Sequence, residues 1–339
     1  MPFATKPRAS SERLTMRRVR PAQLVPSLLD DARAGLLSAP RSLPPKYFYD
    51  ARGAALFDRI CDTPEYYLTR TEEKLLVNHA ETVIAAVEPA EIIEIGSGSA
   101  RKTRHLLDAA AKRGRTPVFA PFDINESLLI AVGRDLSRDY DWLDVRLLVG
   151  DYEAGLADLV RGAAPGPRLF VFLGSTIGNF VPARALDFLA DLRARMAGRD
   201  RLLLGADRVK DHGVLNAAYN DAAGVTAAFN LNLLHVLNRG LGANFAPDGF
   251  DHHALFNPAK ARIEMYLVAR CAQSVNLTAL GRGIEIESGE RILTELSHKY
   301  SEHSLERLLR AAGFAIERHF QPENGYFSLV LARPVTAKA

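Results

Sequence analysis

Gly96-Ser97-Gly98 follows a short apolar stretch, "EIIEI", and precedes a run of helical character. Glycines suit a sharp strand-to-helix turn where a ligand must approach the backbone N–H groups closely. Two further apolar stretches end in an acid, Asp123 in "VFAPFDIN" and Asp151 in "RLLVGDYE". In a nucleoside-type site, Asp123 accepts hydrogen bonds from ribose hydroxyls, and Asp151, with Tyr152 beside it, meets the base. Glu94 lies towards the other end of such a cleft, and Lys102 can pair with a carboxylate. A plain alternative stands beside each assignment, because acids that end strands also cap the next helix. Arg101 replaces the third glycine of a dinucleotide fingerprint, and no GxxxxGK[ST] loop occurs. There is no HExxH or CxxC motif, and the adjacent His252-His253 lacks the i, i+4 spacing of paired ligands. That pair reads as a surface loop, and no metal is expected.

A second chemical concentration precedes the glycine turn. "KYFYDARGAALFDRICDTPEYYLTRTEEKLL", residues 46–76, holds Tyr47, Tyr49, Tyr66 and Tyr67 together with Phe48 and Phe57. Aromatic density of this kind is unlike a linker. Around it, residues 26–37 have helical spacing with a proline in the first turn. Thr69 to Glu72 reads as a capping box, followed by a helical face of Leu75, Leu76, Ala80, Val83, Ile84 and Val87. Pro89 stops that helix.

From there strands alternate with helices. "EIIEI", "VFAPFD", "VRLLV", "RLFVFL" and "RLLLGAD" are five strands, the fourth nearly continuous in apolar residues, as buried parallel strands are. Residues 210–300 interrupt this order, far longer than a normal connection, with a helical run and the strand-like "RIEMYLVARCAQSVNL". A helix through Leu305, Leu308, Leu309 and Ala312 then precedes two strands joined at Asn324-Gly325, a hairpin signal. Five parallel strands closed by a C-terminal antiparallel hairpin outline an α/β, Rossmann-like, class I S-adenosylmethionine-dependent methyltransferase sheet. The excursion and the aromatic stretch form a second, substrate-binding domain. The expected division is residues 21–70 and 210–300 for that domain, and 71–209 and 301–335 for the cofactor domain.

Bulk properties narrow the class. The 339 residues are 47% hydrophobic, enough for an ample core, and no apolar run approaches the roughly 18 residues of a membrane span. The net charge of +3 is concentrated in residues 1–20, which carry six Lys/Arg against Glu12, so the remainder is slightly acidic. Nucleic-acid enzymes spread positive charge over the folded body, so nucleic acid is not an expected partner. Residues 1–20 read as a disordered basic leader. Cys61 and Cys271 make no disulfide framework, which points to a reducing, cytoplasmic setting.

"PPKYFYDARGAALFDRICDTPEYYLTRTE", "EIGSGSARKT", "PFDIN", "FLGSTIGN", "AAYNDAAGVTAAFNLN" and "RIEM…ILTELSHKY", in this order, resemble the L-histidine Nα-methyltransferases of ergothioneine biosynthesis. The resemblance covers nearly all of the chain beyond the leader. It implies transfer of three methyl groups from S-adenosylmethionine to the α-amine of free histidine, giving hercynine, by a monomer. It implies that Asn179 and Tyr219 hold the substrate carboxylate and orient the amine, and that Tyr49 meets the imidazole side. Glu295 and Ser297 match the pair that hydrogen-bonds imidazole, Met265 the pocket lining, and Phe57 and Tyr66 an aromatic wall. Tyr49 and Asn179 are the expected catalytic positions. On the cofactor side Gly96, Gly98, Lys102, Asp123, Asp151 and Tyr152 match. Each residue also has an ordinary reading: Asn179 as a helix start, Tyr219 and Met265 as core, Glu295 as an ion pair with Lys299 if that segment is helical. The nearest rival activity is Nα-methylation of another amino acid such as tryptophan. A ligand-binding scaffold without turnover is the rival of another class.

Overall fold

The computed structural model describes residues 13–335. Along the chain, β1 (Leu14–Arg18) precedes helices α1 (Leu28–Leu36), α2 (Ala51–Cys61) and α3 (Tyr67–Val87). Then β2 (Glu91–Ile95), α4 (Arg104–Lys112), β3 (Val118–Asp123), α5 (Glu126–Asp139) and β4 (Val145–Val149) alternate. They are followed by β5 (Arg168–Phe172), α6 (Pro182–Ala194) and β6 (Arg201–Asp207). The excursion comprises α7 (His212–Ala218), α8 (Val225–Leu241) and five strands. These strands are β7 (Phe250–Asn257), β8 (Arg262–Ala269), β9 (Gln273–Leu277), β10 (Arg282–Ile286) and β11 (Arg291–His298). The chain closes with α9 (Glu302–Ala311), β12 (Phe314–Phe320) and β13 (Phe327–Pro334).

Eight strands form one sheet in the order β1-β4-β3-β2-β5-β6-β13-β12. The first six are parallel, and β13 runs antiparallel to both β6 and β12. Alternate side chains of each central strand enter different apolar clusters, Ile92 and Val171 on one face and Ile93 and Phe172 on the other. Burial on both faces explains why β5 reads as a nearly continuous apolar run. Strand order reverses between β2 and β5, the switch point beyond whose carboxyl ends open α/β sheets bind ligands. A third apolar cluster gathers α1, α2, α8 and the excursion strands, with β11-β8-β7 as an antiparallel sheet and β9-β10 as a hairpin. The strand–helix order and the C-terminal hairpin are those expected.

Three local expectations are corrected. The leader does not extend to residue 20, because Leu14–Arg18 pairs in parallel with β4 as an edge strand. Arg17 joins Asp158 at 2.8 Å, so basic residues that look like a solvated tail satisfy acceptors on the sheet rim. The rest of the leader, residues 1–12, lies outside the described residues. Secondly, Thr69 and Glu72 are not a capping box. Helix α3 starts two residues earlier at Tyr67, Thr69 Oγ1 donates to Cys61 Sγ at 3.2 Å, and Glu72 is fully buried. Both Glu72 carboxylate oxygens accept the Gly174 N–H at 2.9 Å, and Lys102 pairs with the same group. A buried acid needs such partners more than a helix end needs a cap. Thirdly, His252-His253 lies within β7 rather than a loop.

Glu72 also dictates a glycine. A Cβ on Gly205 of β6 would stand 1.9 Å from Glu72 Oε1, whereas one on Gly198 would meet nothing within 4 Å. Gly205→Ala is therefore expected to lower unfolding free energy by about 1–3 kcal/mol, the usual cost of overpacking. Gly198→Ala should change it by less than about 0.5 kcal/mol. Urea denaturation of both variants checks this, and equal effects would contradict the steric argument.

Candidate active site

The turn after β2 is wound by positive φ at Gly96 (66°), Gly98 (50°) and Ala100 (51°). It is laced to the end of β3: Gly96 N–H donates to Phe122 O at 2.8 Å, and Gly98 N–H to Asp123 Oδ2 at 3.0 Å. Asp123 Oδ1 accepts the Asn125 N–H at 2.9 Å. Burial pushes the Asp123 carboxyl above its ordinary value, and these N–H donors pull the other way. Beside the turn, the Tyr152 ring would lie 3.5 Å from a Cβ on Gly96 and packs edge-on against Phe172, Phe180 and Phe188. Asp151 Oδ1 accepts the Glu153 N–H at 2.8 Å, so it caps its own short turn. Lys102 is taken by Glu72 rather than left for a ligand.

Glu94 is buried in β2, and its Oε2 has no hydrogen-bond partner among the described residues. Burial raises its carboxyl to about 8. An orphaned acid beneath a glycine turn, an acid at the ribose position and an aromatic wall fit a nucleoside that also carries an ammonium group. S-adenosylmethionine has that donor set. Gly98 offers the close approach, since nothing lies within 4 Å of where its Cβ would be.

The second half of the site is aromatic. Tyr49 ends a short turn, Pro45–Tyr49, and packs edge-on against Phe57 at 5.6 Å and Phe229 at 5.8 Å. Phe57 meets Tyr66 at 6.2 Å, and Tyr66 meets Tyr219 at 6.1 Å. Partial burial, then the Glu295 and Tyr152 side chains, hold the Tyr49 phenol above its ordinary pKa, although the residue stays 39% exposed. The Tyr49 hydroxyl makes no hydrogen bond among the described residues. The other expected aromatic residues differ in direction. Tyr47 donates to Asp31 at 2.6 Å within its own unit, whereas Tyr67 reaches across to Asp207 at 2.8 and 2.9 Å.

Glu295, Ser297 and Met265 come together through sheet register. Glu295 pairs with Met265 and Ser297 with Ile263, so Glu295 and Ser297 share one face of β11 with Met265 directly opposite. A bulge between Leu293 and Glu295 makes that alignment possible. Its extra residue, Thr294, is tied to Asn230 Oδ1 at 2.8 Å and Met265 O at 3.0 Å. Because the segment is a strand, Glu295 forms no helical pair with Lys299. Burial pushes the Glu295 carboxyl up to about 7, against the pull of the Lys299 ammonium.

Asn179 closes the Thr176–Asn179 turn after β5, at the switch point. Its amide has no hydrogen-bond partner among the described residues, so it remains available. The preceding Gly178 is pressed on β11: a Cβ there would lie 2.6 Å from His298 O, and His298 Nδ1 bonds Gly178 O at 3.0 Å. One contact thus brings Asn179 beside the strand carrying Glu295 and Ser297. Tyr219 ends α7, and its hydroxyl donates to Ser297 Oγ at 3.0 Å. His252 fixes the Tyr219 carbonyl from behind at 2.8 Å, with Asn230 on its other ring nitrogen at 3.0 Å.

Sequence reasoning missed Lys299, Lys210 and Asp207. Lys299 donates to Asp207 Oδ2, Tyr219 Oη and Ser297 Oγ, each at 2.9 Å, with its side chain fully buried. The sequence signal was present, since a lysine at i+2 from Ser297 in a strand shares its face.

The folded Glu295 carboxyl titrates near 7, above the unfolded value of about 4.3. Its raised value makes the protonated form the favoured one, so this contribution to stability is present at low pH and lost as pH rises through 7. Ligand-free Glu295→Gln should therefore match the parent's thermal midpoint near pH 4, below the unfolded value, and exceed it near pH 8. Scanning calorimetry at both pH values checks this. A difference that does not vary with pH contradicts the buried-charge reading.

Comparison with known proteins identifies the family. The family model described as "Histidine-specific methyltransferase, SAM-dependent" matches residues 28–334. Histidine N-alpha-methyltransferases from Mycolicibacterium smegmatis and Mycobacterium tuberculosis are each 44% identical over 90% of this chain and 94% of theirs. Ergothioneine biosynthesis protein 1 of Neurospora crassa is 32% identical over 87% of this chain, which spans 33% of that longer protein. With its glycine turn, switch-point asparagine and buried acid on an eight-stranded sheet, the chain belongs to the histidine-specific, S-adenosylmethionine-dependent methyltransferase family.

Proposed function

We propose that this protein is an L-histidine Nα-methyltransferase that transfers three methyl groups to the α-amine of free histidine, giving hercynine for ergothioneine biosynthesis. The observation that carries this reading is the pairing of Glu295 and Ser297 on one strand face, opposite Met265, with Tyr219 bonded to Ser297 at the end of the aromatic wall of Tyr49, Phe57 and Tyr66. Glu295 accepts the imidazole N–H, Ser297 bonds the other ring nitrogen, and Phe57, Tyr66 and Met265 enclose the ring. Asn179 and Tyr219 hold the carboxylate and turn the amine towards the cleft, while the Tyr49 phenol closes the pocket on the cofactor side. Residues 21–70 and 210–300 act as the substrate domain, and 71–209 with 301–335 as the cofactor domain.

S-adenosylmethionine, when bound, supplies an electrophilic methyl group. Glu94 receives its ammonium, Asp123 its ribose hydroxyls, and Asp151 with Tyr152 its base, over the open turn at Gly96 and Gly98. Lys102 contributes through Glu72 by fixing that turn. The reacting amine must be unprotonated and aligned for in-line displacement, so the chain's part is orientation and exclusion of water. No nucleophilic side chain is required. An acceptor at Glu295 and a donor at Ser297 match the two nitrogens of imidazole, whereas an apolar ring leaves both unpaired and an indole, with one N–H and no ring acceptor, leaves Ser297 unpaired, which favours histidine over tryptophan. No helix among the described residues is long and apolar enough to cross a membrane. The protein works as a cytoplasmic monomer on a small molecule rather than on nucleic acid.

Mass spectrometry of products from histidine and S-adenosylmethionine tests substrate, reaction and methyl count together. Trimethylhistidine is expected, and methylation of another amino acid with none of histidine contradicts the proposal. Asn179→Ala should lower histidine turnover at least about tenfold, the scale of a lost orienting contact. Affinity for S-adenosylhomocysteine should survive in this variant, and unchanged turnover would remove the assigned role. The raised Glu94 carboxyl makes a separate prediction. Placing an ammonium beside it lowers its pKa, so binding S-adenosylhomocysteine at pH 7 should release a proton, detected by calorimetry in buffers of different ionisation enthalpy. Glu94→Gln should abolish that release.

A further inference from the structure

Lys299 has three N–H donors and no acceptor, and all three are spent: on Asp207 Oδ2, Tyr219 Oη and Ser297 Oγ, each at 2.9 Å. The two hydroxyls also bond each other, with Tyr219 donating to Ser297 Oγ at 3.0 Å. A hydroxyl carries one proton and two acceptor positions. Between them, Tyr219 and Ser297 own two protons, and one is used in their mutual bond. The other cannot point at the ammonium, so it must leave the cluster. With Tyr219 as donor, both acceptor positions of Ser297 are filled, and only its O–H remains to be offered.

We infer that Lys299 is a positioning residue that fixes the hydrogen-bond polarity of the pocket, so that the Tyr219–Ser297 pair presents an O–H donor beside the Glu295 acceptor and selects the neutral imidazole ring. The inference rests on the proposal that the ring of histidine lies against Glu295 and Ser297. A neutral imidazole has one N–H and one bare nitrogen, matching one acceptor and one donor. A doubly protonated ring would set an N–H against the O–H, and an apolar ring would leave both groups unpaired. The ammonium stays charged because Asp207 faces it, although Lys210 shares that carboxylate. Glu295 is the remaining acid near it, and Tyr67 completes the shell around Asp207. A serine whose neighbours were all hydroxyls could rotate to accept instead. Lys299 removes that freedom.

The test uses calorimetry at pH 8 with S-adenosylhomocysteine present, comparing histidine with its two pyrrolylalanine analogues. Each analogue keeps one ring N–H and replaces the other nitrogen by C–H. The parent should bind histidine about tenfold or more tightly than either analogue, the scale of an unpaired buried donor. In Lys299→Met the hydroxyl protons can turn to each other and into the space vacated, so that ratio should fall at least about threefold, with S-adenosylhomocysteine affinity retained. Any smaller fall overturns the inference. Where Lys299→Met does not yield folded, cofactor-binding protein, Lys299→Gln is read by the same criterion, since its amide oxygen can accept the hydroxyl proton that the ammonium refuses. Absence of histidine binding by the parent would overturn the proposed substrate and this inference with it. Histidine binding with an unaltered ratio in the variants would overturn this inference alone.

Discussion

A single buried carboxylate, Asp207 at the end of β6, holds the two halves of the protein in register. Tyr67 donates to both of its oxygens, Lys299 and Lys210 both pair with it, and its own N–H donates to Ser175 Oγ at 2.9 Å. Those partners belong to α3, the end of β11, the segment before α7 and the turn after β5. Removing one partner from a buried charge costs several times what a surface pair contributes, so these segments cannot separate independently. Two ammonium groups around one acid leave the cluster positive, and burial with that crowding brings Lys210 down to about 8. Ser175 accepts the Asp207 N–H from a left-handed backbone, φ 57°, which strains a non-glycine residue at the switch point.

Glu72 plays the matching part on the cofactor side. It binds the turn after β5 through Gly174 N–H and the turn after β2 through Lys102. The helix that carries it begins at Tyr67, directly after Tyr66 of the aromatic wall. One helix therefore spans from the Asp207 cluster and the wall to the turns at the switch point. The aromatic stretch is a structural bridge as well as a pocket lining.

Much of this was readable in the residues. The apolar runs ending at Asp123 and Asp151, the Asn324-Gly325 hairpin and the strand face of Glu295 and Ser297 all follow from local patterning, which sheet burial enforces. The failures share a cause. Thr69 and Glu72 have the spacing of a helix cap, but tertiary partners for a buried acid decide where Glu72 points. His252 looks like a surface histidine, yet it serves as a satisfied, half-buried link between Asn230 and the Tyr219 carbonyl. Arg17 and Arg18 look like a solvated tail until β4 offers an edge. Lys299 and Asp207 lie 92 positions apart, and nothing in either neighbourhood announces that they meet. Long-range charge pairing is what local reading omits.

The central claim is that the excursion strand β11 reads an imidazole ring while the turn after β5 orients the amine. A structure of the complex with histidine and S-adenosylhomocysteine tests it most directly. The account predicts one ring nitrogen at hydrogen-bond distance from Glu295, the other from Ser297, and the α-amine beside Asn179, facing the cofactor sulfur. A ring lodged elsewhere, with Glu295 and Ser297 untouched, would contradict it.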